Sequence, residues 1–191
     1  MMIERTLVLI KPDGVKRGLM GRIITRFEDA GFRIVGMKMV WVDRKFAEKH
    51  YTEDITVRRG EKVRNLLLGF ITEGPVLAIC IEGVNAIENV RKMVGSTEPK
   101  SALPGTIRGD FAHVSYGQAD KHDRAVANLI HASGDKKDAA VEVPLWFSAK
   151  ETHTYKTVHD YYIMHEADEL ISRMEEEKSE EIDDSDDNEE E

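Results

Sequence analysis

Apolar residues run along this chain in short blocks, and the spacing within each block sorts the elements. Leu7, Val8, Leu9 and Ile10 are contiguous, which predicts a buried strand over 6–11, broken by the turn signal Pro12-Asp13-Gly14. A short arm over 15–20 follows. Ile23, Ile24, Phe27 and Ala30 then recur at helical spacing from about Gly21, with Gly31 ending the helix. Phe32, Val35, Met37, Met39 and Trp41 predict a second strand over 32–42. Asp43 is placed to cap a helix over 44–51, with Phe46 and Ala47 inward and His50 and Tyr51 near its end. Residues 52–60 are polar and read as a loop-like flap. Val63, Leu66, Leu67 and Phe70 predict a helix over 61–71. Gly74-Pro75 opens a strand through Cys80 to Glu82-Gly83. Asn85 then caps a helix striped by Ile87, Val90, Met93 and Val94 and ended by Gly95.

With a fourth strand over 112–116, this order is βαββαβ, an α+β ferredoxin-like antiparallel sheet with an added helical hairpin. Helices on one face leave the other face to be covered, and burial in a homo-oligomer is one way to cover it. Residues 117–127 are polar and read as a surface excursion. A short helix over 135–143 is stopped by Pro144, and Leu145-Trp146-Phe147 forms an apolar anchor, the Trp as packing. Tyr155, Tyr161 and Tyr162 would dock the following stretch. Residues 167–178 can extend a helix. This gives a domain over 1–152 with an insertion at about 115–127, an extension over 153–178, and an acidic, disordered tail over 179–191.

Charge sharpens this division. Residues 166–191 hold 15 acidic and 2 basic side chains, a net of −13 against −9 for all 191 residues, so the body is net +4. A mildly basic body suits a pocket for a small phosphorylated ligand. The single cysteine, Cys80, lies in a predicted buried strand and reads as a structural thiol of a reducing compartment. Neither a secretion signal nor a membrane-length apolar run is visible, so the expected location is cytoplasmic. His153, His159 and His165 lie six apart, which is not a metal-ligand spacing.

The segment most able to do chemistry is Asn128-Leu129-Ile130-His131-Ala132-Ser133-Gly134. It holds a histidine between buried neighbours with a hydroxyl two positions on. Lys11 at a strand exit, Arg91, Thr97 and Arg108 together could bind a di- or triphosphate, although each alone reads more readily as a solvated or ion-paired surface residue. There is no Walker A sequence and no Gly-x-Gly-x-x-Gly fingerprint, so a nucleotide would be bound in another way. The aromatic pattern of sheet-based RNA-binding modules is missing, and an acidic tail disfavours polyanions. No nucleic-acid partner is expected.

Taken together, the motifs resemble the nucleoside diphosphate kinase family. The residues that carry the resemblance begin with Lys11-Pro12-Asp13-Gly14-Val15, Arg17-Gly18-Leu19, His50-Tyr51 and Gly95-Ser96-Thr97-Glu98-Pro99. They continue with Pro104-Gly105-Thr106-Ile107-Arg108-Gly109-Asp110-Phe111, Asn128-x-x-His131-x-Ser133, Glu142 and Leu145-Trp146-Phe147, covering about residues 4–152. The resemblance implies γ-phosphate transfer from a nucleoside triphosphate to a nucleoside diphosphate, ping-pong, through a phosphohistidine on His131. Glu142 would hold the other ring nitrogen and Ser133 would support that carboxylate. Lys11 and Asn128 would meet the sugar hydroxyl, and Arg91 and Thr97 the terminal phosphates. Arg108 would sit over the transferring group with Tyr51 beside it. Mg²⁺ would travel with the nucleotide, and the assembly would be a homohexamer or a tetramer.

Three departures from the family pattern stand out. The link before Asn128 is longer by about a dozen residues. Gly134 replaces an acidic residue after Ser133, with looser positioning of His131 and lower turnover as the expected result. Val63 and Leu67 stand where an aromatic residue usually stacks on the base. A catalytically weakened nucleotide-binding scaffold is therefore the alternative expectation.

Overall fold

The computed structural model describes residues 3–163. They fall into two compact units, one ending at His153 and one beginning at Thr154. The first is built on a four-stranded sheet in the order β2-β3-β1-β4, every neighbouring pair antiparallel. The strands are β1 (Ile3–Ile10), β2 (Arg33–Val40), β3 (Val76–Val84) and β4 (Ile130–Ala132). Between them run α1 (Pro12–Lys16), α2 (Met20–Asp29), α3 (Arg44–His50), α4 (Glu53–Arg59), α5 (Glu61–Thr72), α6 (Ala86–Val94), α7 (Ile107–Phe111) and α8 (Tyr116–Lys121). The helix α9 (Lys136–Trp146) follows β4. In the second unit, α10 (Val158–Ile163) is described by itself. No helix among the described residues is long and apolar enough to cross a membrane.

The two central strands are buried on both faces, which is why β1 reads as a continuous apolar run rather than an alternation. Val8, Ile10, Ile79 and Ile81 pack with Ile23 and Phe27 of α2, Val90 and Val94 of α6, and Ile107. Leu7, Leu9, Ala78 and Cys80 face the other way, against Ala47 of α3, Leu68 and Ile71 of α5, and Trp146 and Phe147. The chain therefore covers its second sheet face itself. A homo-oligomer is therefore not needed to cover that face, because 44–72 and 136–147 supply enough apolar helix surface to bury it.

Other expectations change in informative ways. Pro12-Asp13-Gly14 opens the short helix α1, with Pro at its first position, where a missing N–H costs nothing. Within the stretch 52–60, read as a loop, Glu53–Arg59 form α4, with Glu53 and Asp54 in its first turn and Arg58 and Arg59 in its last. The buried residues of α5 are Leu68 and Ile71. Val63 is 36% exposed, so the inward stripe is rotated from the one predicted. Asn85 has a left-handed backbone, φ 50°, and its side chain makes no capping bond. Pro144 lies inside α9 without ending it. It falls in the last turn, where burial of Trp146 holds the helix for two more residues.

The largest change is the fourth strand. Residues 112–116 leave the sheet, and its place beside β1 goes to Ile130–Ala132. Three residues are too few for their own pattern to announce a strand. The Asp43 cap is as predicted, its carboxylate accepting from Phe46 N at 2.7 Å. The predicted helix over 167–178 and the acidic tail lie outside the described residues.

Gly14 packs tightly between the β1 exit and the β4 entry. A Cβ there would stand 2.7 Å from Ile10 Cγ2 and 3.0 Å from Leu129 O. Gly14→Ala is therefore expected to destabilise the fold by roughly 1–3 kcal/mol, the usual cost of overpacking. A lowered guanidinium unfolding midpoint with unchanged slope is the result that checks it.

Candidate active site

β4 pairs with β1 so that His131 stands opposite Leu9. Side chains alternate along a strand, so His131 shares the face of Leu9, and Lys11, two residues beyond Leu9, shares it too. That is the face covered by α3, α5 and α9. The sheet register thus brings the histidine and the lysine to one side, beneath helices that carry His50, Tyr51 and Glu142.

The entry to β4 is tightly tied. Leu129 has φ 68°, and Ile130 N donates to Asn128 O at 2.7 Å, which is a γ-turn of the strained hand. Lys11 N donates to Leu129 O at 2.8 Å, and Leu129 N donates to the Asp13 carboxylate at 2.9 Å. Burial pushes the Asp13 carboxyl up, against the backbone bonds and the nearby Lys11 charge that pull it down. Asp13 Oδ1 is buried without a hydrogen-bond partner.

His131 Nε2 lies 3.0 and 3.1 Å from the two oxygens of Glu142. Ser133 Oγ donates to Glu142 at 2.6 Å and accepts from Leu7 N at 3.3 Å, which anchors the carboxylate to the sheet. Burial alone would raise the Glu142 pKa, but bonds from His131 and Ser133 and the neighbouring rings hold it below the ordinary carboxylate value. An ionised Glu142 accepts a hydrogen bond from Nε2–H. The neutral ring therefore keeps its lone pair on Nδ1, which has no hydrogen-bond partner among the described residues.

His50 stands edge-on to His131, ring centroids 4.7 Å apart, and its Nδ1 accepts from Trp146 Nε1 at 3.3 Å. Burial, then the His131 ring and Lys11, push its pKa down to about 3 despite Glu142. His50 is thus a neutral wall. His50, His131 and Glu142 offer ligand atoms within 4.8 Å of one another. Trp146 already occupies the His50 Nδ1 lone pair, and the surrounding cations oppose a metal ion, so these groups suit orientation of a ring rather than coordination.

Three cations converge from the other side. Lys11 Nζ donates to Asn128 Oδ1 at 2.8 Å, and Asn128 Nδ2 donates to Thr97 O at 2.8 Å. Arg108, 7% exposed, donates to the carbonyls of Asn128, Gly95 and Ile130 at 3.2, 2.9 and 2.6 Å. Arg91 reaches Ala132 O at 3.5 Å. Burial and then mutual repulsion lower Lys11 to about 8 and Arg108 to about 10. The Tyr51 phenol is buried and its pKa is raised, chiefly by burial and then by Glu142.

These groups line one cleft of about 840 Å³. Lys11, Tyr51, Val63, Leu67, Arg91, Thr97, Arg108, Asn128, His131 and Glu142 all face it. Ser133 is fully buried behind Glu142. A depression of about 980 Å³ beyond Arg91 and Gly95 contains neither His131 nor Lys11 nor Arg108. His50, Asp13 and the γ-turn at Leu129 were not singled out from sequence. His50 carried a signal, as a histidine at the inward end of a capped helix. Asp13 did not, because a Pro-Asp-Gly triplet reads as a turn.

A sequence profile of the family described as Nucleoside diphosphate kinase matches residues 4–152. The chain belongs to that family. It is 46% identical over 157 residues to the nucleoside diphosphate kinase of Borreliella burgdorferi, covering 82% of this chain and 94% of that one. It is 48% identical over 160 residues to that of Pyrococcus furiosus, covering 84% and 92%. Among solved structures, a transition-state mimic of the nucleoside-diphosphate kinase from Borrelia burgdorferi with bound vanadate and ADP superposes with a TM-score of 0.83. It is 44% identical, covering 85% of this chain and 97% of that one. The halophilic kinase from Halobacterium salinarum in complex with CDP gives 0.73 at 36% identity, with coverages of 85% and 99%. The ferredoxin-like fold of the family agrees with the sheet described above.

Burying these cations together carries a stability cost. The Lys11 pKa of about 8 lies below its ordinary 10.5, so the unfolded chain binds more protons between those values and stability rises with pH across that window. Keeping Lys11 charged at pH 7 costs about 3 kcal/mol on this scale, and removing it leaves Asn128 Oδ1 unpaired at a cost of about 1–2. Lys11→Met is therefore expected to be more stable than the natural chain at pH 7 by roughly 1–2 kcal/mol, an advantage lost by about pH 10. Urea unfolding of both proteins at the two pH values checks this.

Proposed function

We propose that this nucleoside diphosphate kinase carries the phosphoryl group on His131 Nδ1. The observation behind the assignment is the lone pair on Nδ1, aimed into a cation-lined cleft, with Nε2–H fixed on Glu142. The Nδ1 lone pair attacks the γ-phosphorus, the bond from that phosphorus to the β–γ bridging oxygen breaks, and the nucleoside diphosphate leaves with the electrons. The ring gains positive charge, and Glu142, already bonded to Nε2–H, stabilises it without moving a proton. A second nucleoside diphosphate reverses the step with its β-phosphate oxygen as nucleophile.

Charge spreads over the equatorial phosphoryl oxygens during transfer, and Lys11 and Arg108 are the groups to counter it. An incoming polyphosphate raises the depressed Lys11 pKa and keeps that side chain cationic. In this reading Arg91 and Thr97 hold the terminal phosphates, Asn128 and Lys11 the sugar hydroxyl, and Tyr51 flanks the transferring group. Val63 and Leu67 cover the base without reading its edges, which suits a kinase indifferent to base. Asp54, Asp120, Asp138 and Glu142 line the cleft, but among the described residues they gather into no carboxylate cluster that could cage an ion. Mg²⁺ accordingly enters on the nucleotide phosphates, as part of the substrate.

The local structure does not require a glycine at Gly134. It lies outside the left-handed region, and a Cβ there would displace only the flexible Asp138 carboxylate. Incubation with γ-labelled ATP and Mg²⁺ is expected to give an acid-labile, base-stable protein phosphate that moves quantitatively to GDP. His131→Gln should fold and take no label. A labelled His131→Gln protein would overturn the assignment, and an unlabelled natural chain that still binds nucleotide would favour the scaffold reading.

We also infer a homo-oligomer, a hexamer with a tetramer as alternative, working in a reducing cytoplasm. β2 pairs on one side only among the described residues and exposes Met37 and Met39 by 53% and 54%. The Cys80 thiol, buried and pushed up to about 11, is inert as a reducing compartment allows. Met39→Arg is expected to shift the protein to smaller species in sedimentation velocity.

A further inference from the structure

The insertion before β4 is built as a wall of the cleft. It starts on the 98–101 turn, where Tyr116 N donates to Glu98 at 2.8 Å and Lys100 N donates to Val114 O at 3.1 Å. α8 then carries Tyr116, Ala119 and Asp120 along the cleft, and Arg124 follows. Val63 and Leu67 of α5 line the same cleft. Tyr116 is close enough to Arg108 for its phenol to act on the guanidinium charge, so this wall reaches the phosphate end.

The free end of the insertion is tied back to α5 and its C-terminal flank. Asp123, with φ 53°, meets Lys62 Nζ at 2.5 Å, and Arg124 lies 3.7 Å from Glu73. Lys62 and Asp123 are 72% and 71% exposed, so the pair is adjustable and screened by salt.

We propose that residues 116–126 form the second wall of the nucleotide cleft, and that the Lys62–Asp123 pair latches this wall to α5 and so sets the affinity for nucleoside diphosphates. This rests on reading the cleft as the nucleotide site. The latch acts through the width of the cleft. Lys62 and Asp123 are positioning residues for the wall.

A charge-swap cycle tests it, with ADP as probe and the full chain throughout. Lys62→Glu and Asp123→Lys are each expected to weaken ADP binding two- to fourfold at 50 mM salt, and the double swap to restore it. At 500 mM salt the four proteins should converge. Asp123→Lys is decisive. It adds two positive charges beside an anionic ligand, so simple attraction predicts tighter binding, whereas the latch predicts weaker. Turnover at saturating nucleotide should stay within twofold, which separates cleft width from chemistry. Tighter binding by Asp123→Lys, or a double swap no better than the two singles combined, overturns the latch. A natural chain that binds no ADP overturns the underlying reading of the cleft.

Discussion

Everything at the site hangs on the three hydrogen bonds around Leu129. The β1 exit grips this residue from both sides, Lys11 N–H on its carbonyl and the Asp13 carboxylate on its amide, while Ile130 N closes the γ-turn. A non-glycine residue at φ 68° costs on the order of 1–3 kcal/mol, and such strain persists only where its surroundings over-determine it. The grip decides which residues enter β4 and in what phase. A shift of one residue would turn His131 to the opposite face of the sheet, away from Glu142. Gly14 belongs to the same knot, since only a missing side chain lets α1 come this close.

From that knot the electrostatics follow. Two buried cations share the cleft with a histidine that must stay neutral to attack. The fold answers with Lys11 poised near neutrality, Arg108 spread over three carbonyls, and His50 held uncharged. Glu142 works in the opposite sense, and Ser133 keeps it on Nε2, where it orients the ring. The cleft is therefore a site short of negative charge, and a polyphosphate supplies what it lacks. The same shortage explains why its apolar wall is modest. In the proposed reading, affinity comes from charge-assisted bonds to phosphate, and the base needs only cover.

Much of this was legible before any coordinates. Contiguous apolar runs mark strands buried on both faces, and the helical stripes of α2 and α6 were visible as such. The motif residues Lys11, Arg91, Thr97, Arg108, Asn128, His131 and Glu142, read through the family resemblance, do converge on one cleft. The failures have a common form. α1, α4 and β4 are five, seven and three residues long. Segments that short carry too little periodicity to reveal themselves, and what holds them is tertiary: the bonds of Lys11 and Asp13 to Leu129 at α1, the β1 edge beside β4.

The sequence by itself determined the fold class, the family and the chemical identity of the nucleophile, because these depend on residue type and spacing. Tertiary structure alone decided which nitrogen of His131 is free, since that follows from where Glu142 stands. It decided that His50 is part of the site, since Trp146 and His131 meet it from distant parts of the chain. It also decided that the insertion lines the cleft rather than wandering over the surface. A polar segment looks the same in sequence whether it faces solvent or a cleft, and only its contacts with distant parts of the chain, Glu98, Lys62 and Glu73 among them, distinguish the two.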